Sequence, residues 1–341
     1  MAMSDYFLRT LFVHTPGTRL VLESDALKAL HDEAPPRRLP LRAIDTVVVS
    51  GGVDVSTPLL VRCAEDGRLV AFVSRFGKPR AIVSGEAPGR GHLRLRQFEA
   101  HFDAERRLQL AKSIVAGKLD QMSWGLRQWA RDLDDELATQ LRDLAGSVEA
   151  DREGAVVAAS RDAALGIEGI ATRRYFGGLG IALRSGAWKG RNRRPARDPV
   201  NATLSFLYGM ARLAVQGAVH VSGLDPCCGF LHGDTDGQPA LVLDLLEEFR
   251  PSVDRVVVTL FNRHQLRAEH FELDALGSCS LTADGREVVM NAWHTHRMSK
   301  VKVAKAVAPI PRAAMPLVQA NAMANALRRG APYVSHRMAV A

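Results

Sequence analysis

The run GRGHLRLRQFEAHF, residues 89–102, stands where one hydrophobic rhythm gives way to another. Before it the apolar residues come in short, β-branched stretches: TLFVHT (10–15) and TRLVLES (18–24) flank Pro16-Gly17, and AIDTVVVS (43–50) runs into Gly51-Gly52. RLVAFVS (68–74) and RAIVSG (80–85) flank Gly77-Lys78-Pro79. Strands bounded by turn residues are the expectation. TPLLVRCAEDG (57–67) is the exception, with helical spacing, an early proline and a closing glycine. From residue 92 onward the period becomes 3.6: Leu110, Ile114, Leu119, Met122, Leu126 and Leu133, then Leu137, Leu141 and Leu144. The pattern predicts an α+β multidomain chain, with an N-terminal β-rich domain over 1–91 and a larger all-α domain over 92–341. The basic, glycine-rich junction connects them.

Of the 341 residues, 47% are hydrophobic, enough for a sizeable core, and the formal charge of +8 points to an anionic partner such as nucleic acid or a membrane surface. Cys63, Cys227, Cys228 and Cys279 lack the spacing of a zinc cage, and the adjacent pair suits disulfides poorly, so a reducing cytoplasm is expected. No apolar run approaches the roughly 20 residues of a membrane span.

The acids of LHGDTDGQPALVLDLLEEFRP (231–251) carry the functional question. Pro239 opens and Pro251 closes a short helix in this reading. Leu241, Val242, Leu245, Leu246 and Phe249 form its apolar stripe; Asp244, Glu247 and Glu248 lie opposite, beside Leu243. Acids there are either a solvated face or, since the helix is apolar around most of its circumference, enclosed groups needing a counter-charge or a cation. His232 can turn back onto them through Gly233 and Gly237. In DAALGIEGIATRRYF (162–176), Glu168 likewise projects from a face of small and apolar residues. One imidazole and two carboxylates suit Mg2+ or Mn2+, with zinc an alternative. DTDG (234–237) lacks the rest of a calcium loop and reads as a turn. HTH (294–296), placed on a strand or loop, and NRHQLRAEH (262–270) read as polar surface.

The segment GLDPCCGFLHGDTDGQPALVLDLLEEFRP (223–251) resembles the hallmark segment of the CRISPR adaptation integrases, the first-numbered Cas family. IEGIATRRYF (167–176) resembles that family's glutamate-bearing helix, RNRRPARDPVNATLSFLYGM (191–210) its arginine-rich loop and asparagine-bearing helix, and MPLVQANAMANALRRG (315–330) its C-terminal helix. The resemblance implies a β-domain followed by a helical, dimerising, metal-dependent nuclease and integrase. It implies Glu168, His232 and Glu247 as catalytic metal ligands, with Asp244 supporting them. The implied reaction is transesterification: the 3′-hydroxyl of a captured DNA fragment attacks the repeat boundary of the array. The implied partners are DNA, a second copy of the chain and the small second-numbered Cas protein. The likeness is greatest to the type I branch, particularly subtype I-C. Two features depart from it: the turn GDTDGQP lacks the arginine common there, and the ending YVSHRMAV lacks a proline frequent in relatives.

Beside such a site, Arg193 and Arg194 in WKGRNRRPARD (188–198) are expected to hold the DNA backbone, with Trp188 available for base stacking. Arg173, Arg174, Tyr175 and Asn201 are further candidates for nucleic-acid contact; for Asn201, with Ser205 and Tyr208 at helical spacing, core hydrogen bonding is the competing account. Two other readings stand beside the integrase: a DNA-binding scaffold with a non-catalytic metal site, and a metal hydrolase of small phosphoesters.

Overall fold

A computed structural model describes residues 10–44, 46–74, 79–85, 91–184, 188, 190–192, 195–233, 237–302 and 309–336. The first part is β-rich, as its rhythm predicts. Strands β1 (Thr10–Val13), β2 (Arg19–Glu23), β3 (Ala26–His31), β4 (Ala34–Pro40), β5 (Thr46–Ser50) and β6 (Asp54–Val55) precede helix α1 (Thr57–Glu65). Strands β7 (Leu69–Val73) and β8 (Pro79–Val83) follow it. Two four-stranded sheets result, ordered β1-β5-β7-β8 and β4-β3-β2-β6. In the first, β1, β5 and β7 are parallel and β8 closes antiparallel. Parallel neighbours need a crossover, which α1 supplies between β5 and β7. Strand β4 contains Pro35 and Pro36 and survives because it is an edge, where a missing N–H breaks no ladder.

The first sheet is covered on both faces. Along β5, Val47 and Val49 join the core of the β-region while Val48 joins the helical core. Along β7, Val70 faces the β-region and Leu69, Ala71 and Val73 face the helices. The two-residue period of a strand thus ties both parts of the chain together through one sheet.

The rest is largely helical. It comprises α2 (Gly91–Phe102), α3 (Ala104–Trp129), α4 (Asp135–Val157), α5 (Arg161–Ala182), α6 (Pro199–Ser222), α7 (Ala240–Leu246), α8 (Arg250–Asn262), α9 (Ala283–Met298) and α10 (Met315–Arg329). Two short ribbons, β9 (Phe271–Leu273) with β10 (Cys279–Leu281) and β11 (Lys300–Val301) with β12 (Ile310–Pro311), join them. Side chains of Asp103, Ser160 and Asp198 accept from backbone N–H groups to start α3, α5 and α6. Gly223 and Gly330 end α6 and α10 in the left-handed conformation.

Two expectations need correction. Pro251 does not stop the acid-bearing helix. That helix ends at Leu246, passes through a 3-10 turn (Glu247–Phe249), and Pro251 lies in the first turn of α8, where its missing N–H breaks no helical hydrogen bond. The HTH tripeptide lies on α9, neither on a strand nor in a loop. None of the described helices is long and apolar enough to cross a membrane.

Candidate active site

The long helix α3 packs against α5 and the turn after α7, and on its apolar face, among Ile114, Val115, Leu119 and Met122, it carries Lys118. Lys118 is buried, so its ammonium must find anions. It forms an ion pair with Glu168 Oε1 on α5 and another, at 2.5 Å, with Glu247 Oε2 in the 3-10 turn. Thr172, one turn beyond Glu168, donates to the same oxygen at 2.8 Å. Arg250 Nε donates to Glu247 Oε1 at 2.7 Å. Burial alone would raise the Glu247 pKa, but Arg250, Lys118 and His232 outweigh it and hold the carboxyl well below its usual range. Both carboxylates therefore converge on one cationic nitrogen.

His232 comes to the same place by a different route. Asp244, fully buried on α7, accepts the backbone N–H groups of Phe230 at 2.6 Å, Leu231 at 3.0 Å and His232 at 2.9 Å. It also bonds His232 Nδ1 at 2.7 Å. A carboxylate only accepts, so Nδ1 carries the proton and, in the neutral ring, Nε2 holds the lone pair available to a ligand. Burial opposes the imidazolium, yet the Asp244 hydrogen bond and the charges of Asp244 and Glu247 raise the His232 pKa. Among the described residues no three His, Cys, Asp or Glu side chains already stand together at metal-binding distance. Lys118 serves instead as the counter-ion shared by Glu168 and Glu247.

The basic side of the site departs from expectation in two places. Tyr175 is entirely buried and its hydroxyl donates to Asp254 at 2.9 Å, so the expected contact with nucleic acid is corrected to a core hydrogen bond. Asn201 is buried too: Oδ1 accepts from Arg191 at 2.7 Å, and Nδ2 donates to the Gly190 carbonyl and to Asp198. It holds the arginine-rich loop and has no face left for DNA. Ser205 accepts from Arg191 at 3.1 Å, and the Arg191 guanidinium lies 5.4 Å from the Tyr208 ring centre, so the polar stripe of α6 seats an arginine. Arg173 is exposed and lines a 480 Å3 cleft with Phe176, Trp188 and Arg191, whereas exposed Arg174 pairs with Asp151. Trp188 is half-buried edge-on to Phe176. Arg193, Arg194 and the DTD turn (234–236) lie outside the described residues.

With this geometry in view, comparison with known proteins is decisive: the family model "CRISPR associated protein Cas1" matches residues 11–295. The chain belongs to the Cas1 family. The match agrees with a curated relative, the CRISPR-associated endonuclease Cas1 2 of Rhodospirillum rubrum, which is 35% identical over 94% of this chain and 95% of its own length. Among solved structures, a casposase bound to its integration product superposes with a TM-score of 0.82 at 17% identity, covering 96% of this chain and 92% of that one. A Cas6-RT-Cas1–Cas2 complex gives 0.79 at 20% identity, covering 96% of this chain and 36% of that one. These two likenesses establish a shared fold. Cas1 proteins are CRISPR-associated endonucleases and integrases of spacer acquisition, and nucleases of the family are generally metal-dependent.

Some residues that shape this Cas1 site escape a reading by rhythm and motif. Lys118 had a signal, a lone lysine among apolar residues on a helix face, which marks a buried charge seeking acids. Glu248 accepts from Tyr333 at 2.5 Å and Ser335 at 2.6 Å, so the divergent ending of the chain buttresses the turn that carries Glu247. Asp254 receives Tyr208 at 2.5 Å as well as Tyr175, beneath the Arg250 guanidinium that stacks 4.7 Å over the Tyr208 ring.

Proposed function

We propose that this chain joins the 3′-hydroxyl ends of captured DNA fragments to the repeat boundary of a CRISPR array by transesterification, and cleaves DNA by the same chemistry with water as nucleophile. Glu168, His232 and Glu247 would hold Mg2+ or Mn2+. The observation that carries this reading is the convergence of Glu168 and Glu247 on a single positive charge, with the His232 imidazole fixed alongside. Two carboxylates that already share a stand-in cation, plus one neutral nitrogen, are a donor set such ions accept. When bound, a divalent cation supplies charge stabilisation to the phosphate and lowers the pKa of the attacking hydroxyl or water.

The other residues have assignable tasks. Asp244 orients His232 and fixes its tautomer. Arg250 keeps Glu247 ionised. Lys118 keeps both carboxylates together in the absence of a metal ion. Arg173, exposed in its cleft, would hold phosphates of the DNA backbone. Outside the described residues, Arg193 and Arg194 would extend that track. The partners in this reading are DNA, a second copy of the chain and Cas2, the last supported by the composition of the complex that shares the fold. Cytoplasmic location and a type I system close to subtype I-C follow from the cysteine usage and the motif resemblance.

The test combines the protein, Cas2, a protospacer duplex and a supercoiled array plasmid with Mg2+ or Mn2+. Glu168→Ala and His232→Ala are each expected to lower integration by a hundredfold or more, roughly the scale of losing a principal transition-state stabiliser. Integration at the wild-type rate by either variant sinks the assignment. The Lys118 ammonium between the two acids favours one competing reading, a DNA-binding scaffold; wild-type protein that binds the duplex but forms no product with either metal would select it.

A further inference from the structure

Helix α8, helix α9 and the Arg312–Ala314 turn before α10 enclose a cleft of 680 Å3 that shares none of Lys118, Glu168, His232 and Glu247. Its charges all have one sign. Arg255, Arg263 and Arg312 line it together with His296, and among the described residues no aspartate or glutamate does. Arg255 lies 5.0 Å from the Trp124 ring centre, and Arg312 Nε donates to Ser299 Oγ at 3.1 Å. Neither contact supplies a counter-charge; Asp132, which does not line the cleft, raises the Arg255 pKa but by less than burial lowers it.

The electrostatic consequences are visible. Burial, then the charge of Arg255, pulls the Arg312 pKa down to about 10. Burial also lowers Arg255. His296 is pushed to about 3 by burial and by both arginines, and stays neutral with Nε2 at 2.8 Å from Ser252 Oγ. Half-buried cations that repel one another are unfavourable until an anion sits among them. The donors on offer, planar guanidinium forks plus the Asn291 amide, suit a compact tetrahedral oxyanion, while the Thr295 and Ser299 hydroxyls already donate to backbone carbonyls. A neutral or apolar occupant would leave the charges unpaired.

We propose that the α8–α9 cleft is a phosphate-binding site, separate from the candidate metal site, whose ligand is a phosphoryl group of either a free anion or a DNA strand. The full-length chain, stripped of metal, is titrated calorimetrically with inorganic phosphate and, separately, with a short single-stranded oligonucleotide. Phosphate is expected to bind one to one. Arg312→Gln should weaken it roughly tenfold or more, the usual scale for losing a charge-assisted contact, and Arg312→Lys should weaken it less. Glu168→Ala should bind phosphate like wild type, which separates this result from any failure of the integrase reading. If Arg312→Gln also weakens the oligonucleotide and phosphate competes with it, the ligand is a DNA strand; if oligonucleotide affinity is unchanged, it is a free anion. Thermal unfolding establishes that each variant is folded, and Arg255→Gln repeats the test from the other guanidinium. Absence of phosphate binding to wild type, or equal binding by folded Arg312→Gln, overturns the proposal.

Discussion

Asp254 is shut away from water beneath Arg250 and between two tyrosine hydroxyls. Burial is the largest influence on it, and although both hydroxyls and the arginines favour the anion, its pKa rises to about 6 from an ordinary 3.8. The folded state therefore holds this proton more tightly than the unfolded state. Between about pH 4 and pH 6 the native protein binds the extra proton, so this group's contribution to stability falls as pH rises, reaching a cost on the order of 3 kcal/mol at neutral pH. Asp254→Asn removes the titration while keeping a polar partner for Tyr175 and Tyr208. Denaturant unfolding of both proteins across that window should show wild type losing stability relative to the variant as pH increases. A pH-independent difference would mean that the tyrosines and Arg250 fully offset the burial. The same carboxylate explains why the sequence misleads at Tyr175: a phenol beside two arginines resembles a DNA contact until its partner, 79 residues further on, is known.

At the level of elements, the site depends on how closely the loop before His232 lies against α7. Gly229 is the point of contact. A Cβ there would stand 2.7 Å from the Ala240 carbonyl carbon and 2.8 Å from Asp244 Oδ2, closer than side-chain carbons approach real neighbours. Gly229→Ala must push the loop or the helix aside, stretching the three backbone hydrogen bonds to Asp244 and loosening His232. We expect a loss of about 1–3 kcal/mol, the usual cost of overpacking, with integration falling further than stability explains. Thermal unfolding and the plasmid assay measure the two effects, and a variant with wild-type values in both would show that the loop is slack. Elements of this kind were partly legible. Strands β1, β2, β5, β7 and β8 and the helices α3 to α5 follow their own periodicity, because each signal is local. Strands β3 and β4 did not show in ALKALHDEAPPRRLP (26–40), whose strand character comes from pairing, β3 with β2 and β4 with β3, and Pro251 announced a boundary without saying which helix it served.

Across the whole molecule, one sheet shared by two cores fixes the β-rich part against the helices, and residues from α3, α5, α7 and the following turn then meet at one place. Glu168 and Glu247 stand out in the sequence because acids on apolar faces are conspicuous, and His232 because the glycines after it let it turn back toward them. Lys118 was harder, since its two partners lie 50 and 129 positions further along the chain and no spacing links them. The same long-range view sorts the basic residues, which account for a net charge of +8 but do not all face a ligand. DNA affinity should fall steeply with salt, because each phosphate neutralised releases counterions. Arg173→Ala, which removes an exposed guanidinium from its cleft, should reduce the slope of log affinity against log salt by about one and leave unfolding unchanged. Tyr175→Phe should do the reverse: it strands Asp254 without one of its donors, at about 1–3 kcal/mol of stability, with the salt slope intact. Fluorescence anisotropy over a salt series, paired with denaturant unfolding, resolves the two effects. A Tyr175→Phe protein with wild-type stability and a shallower salt slope would return that residue to the DNA surface.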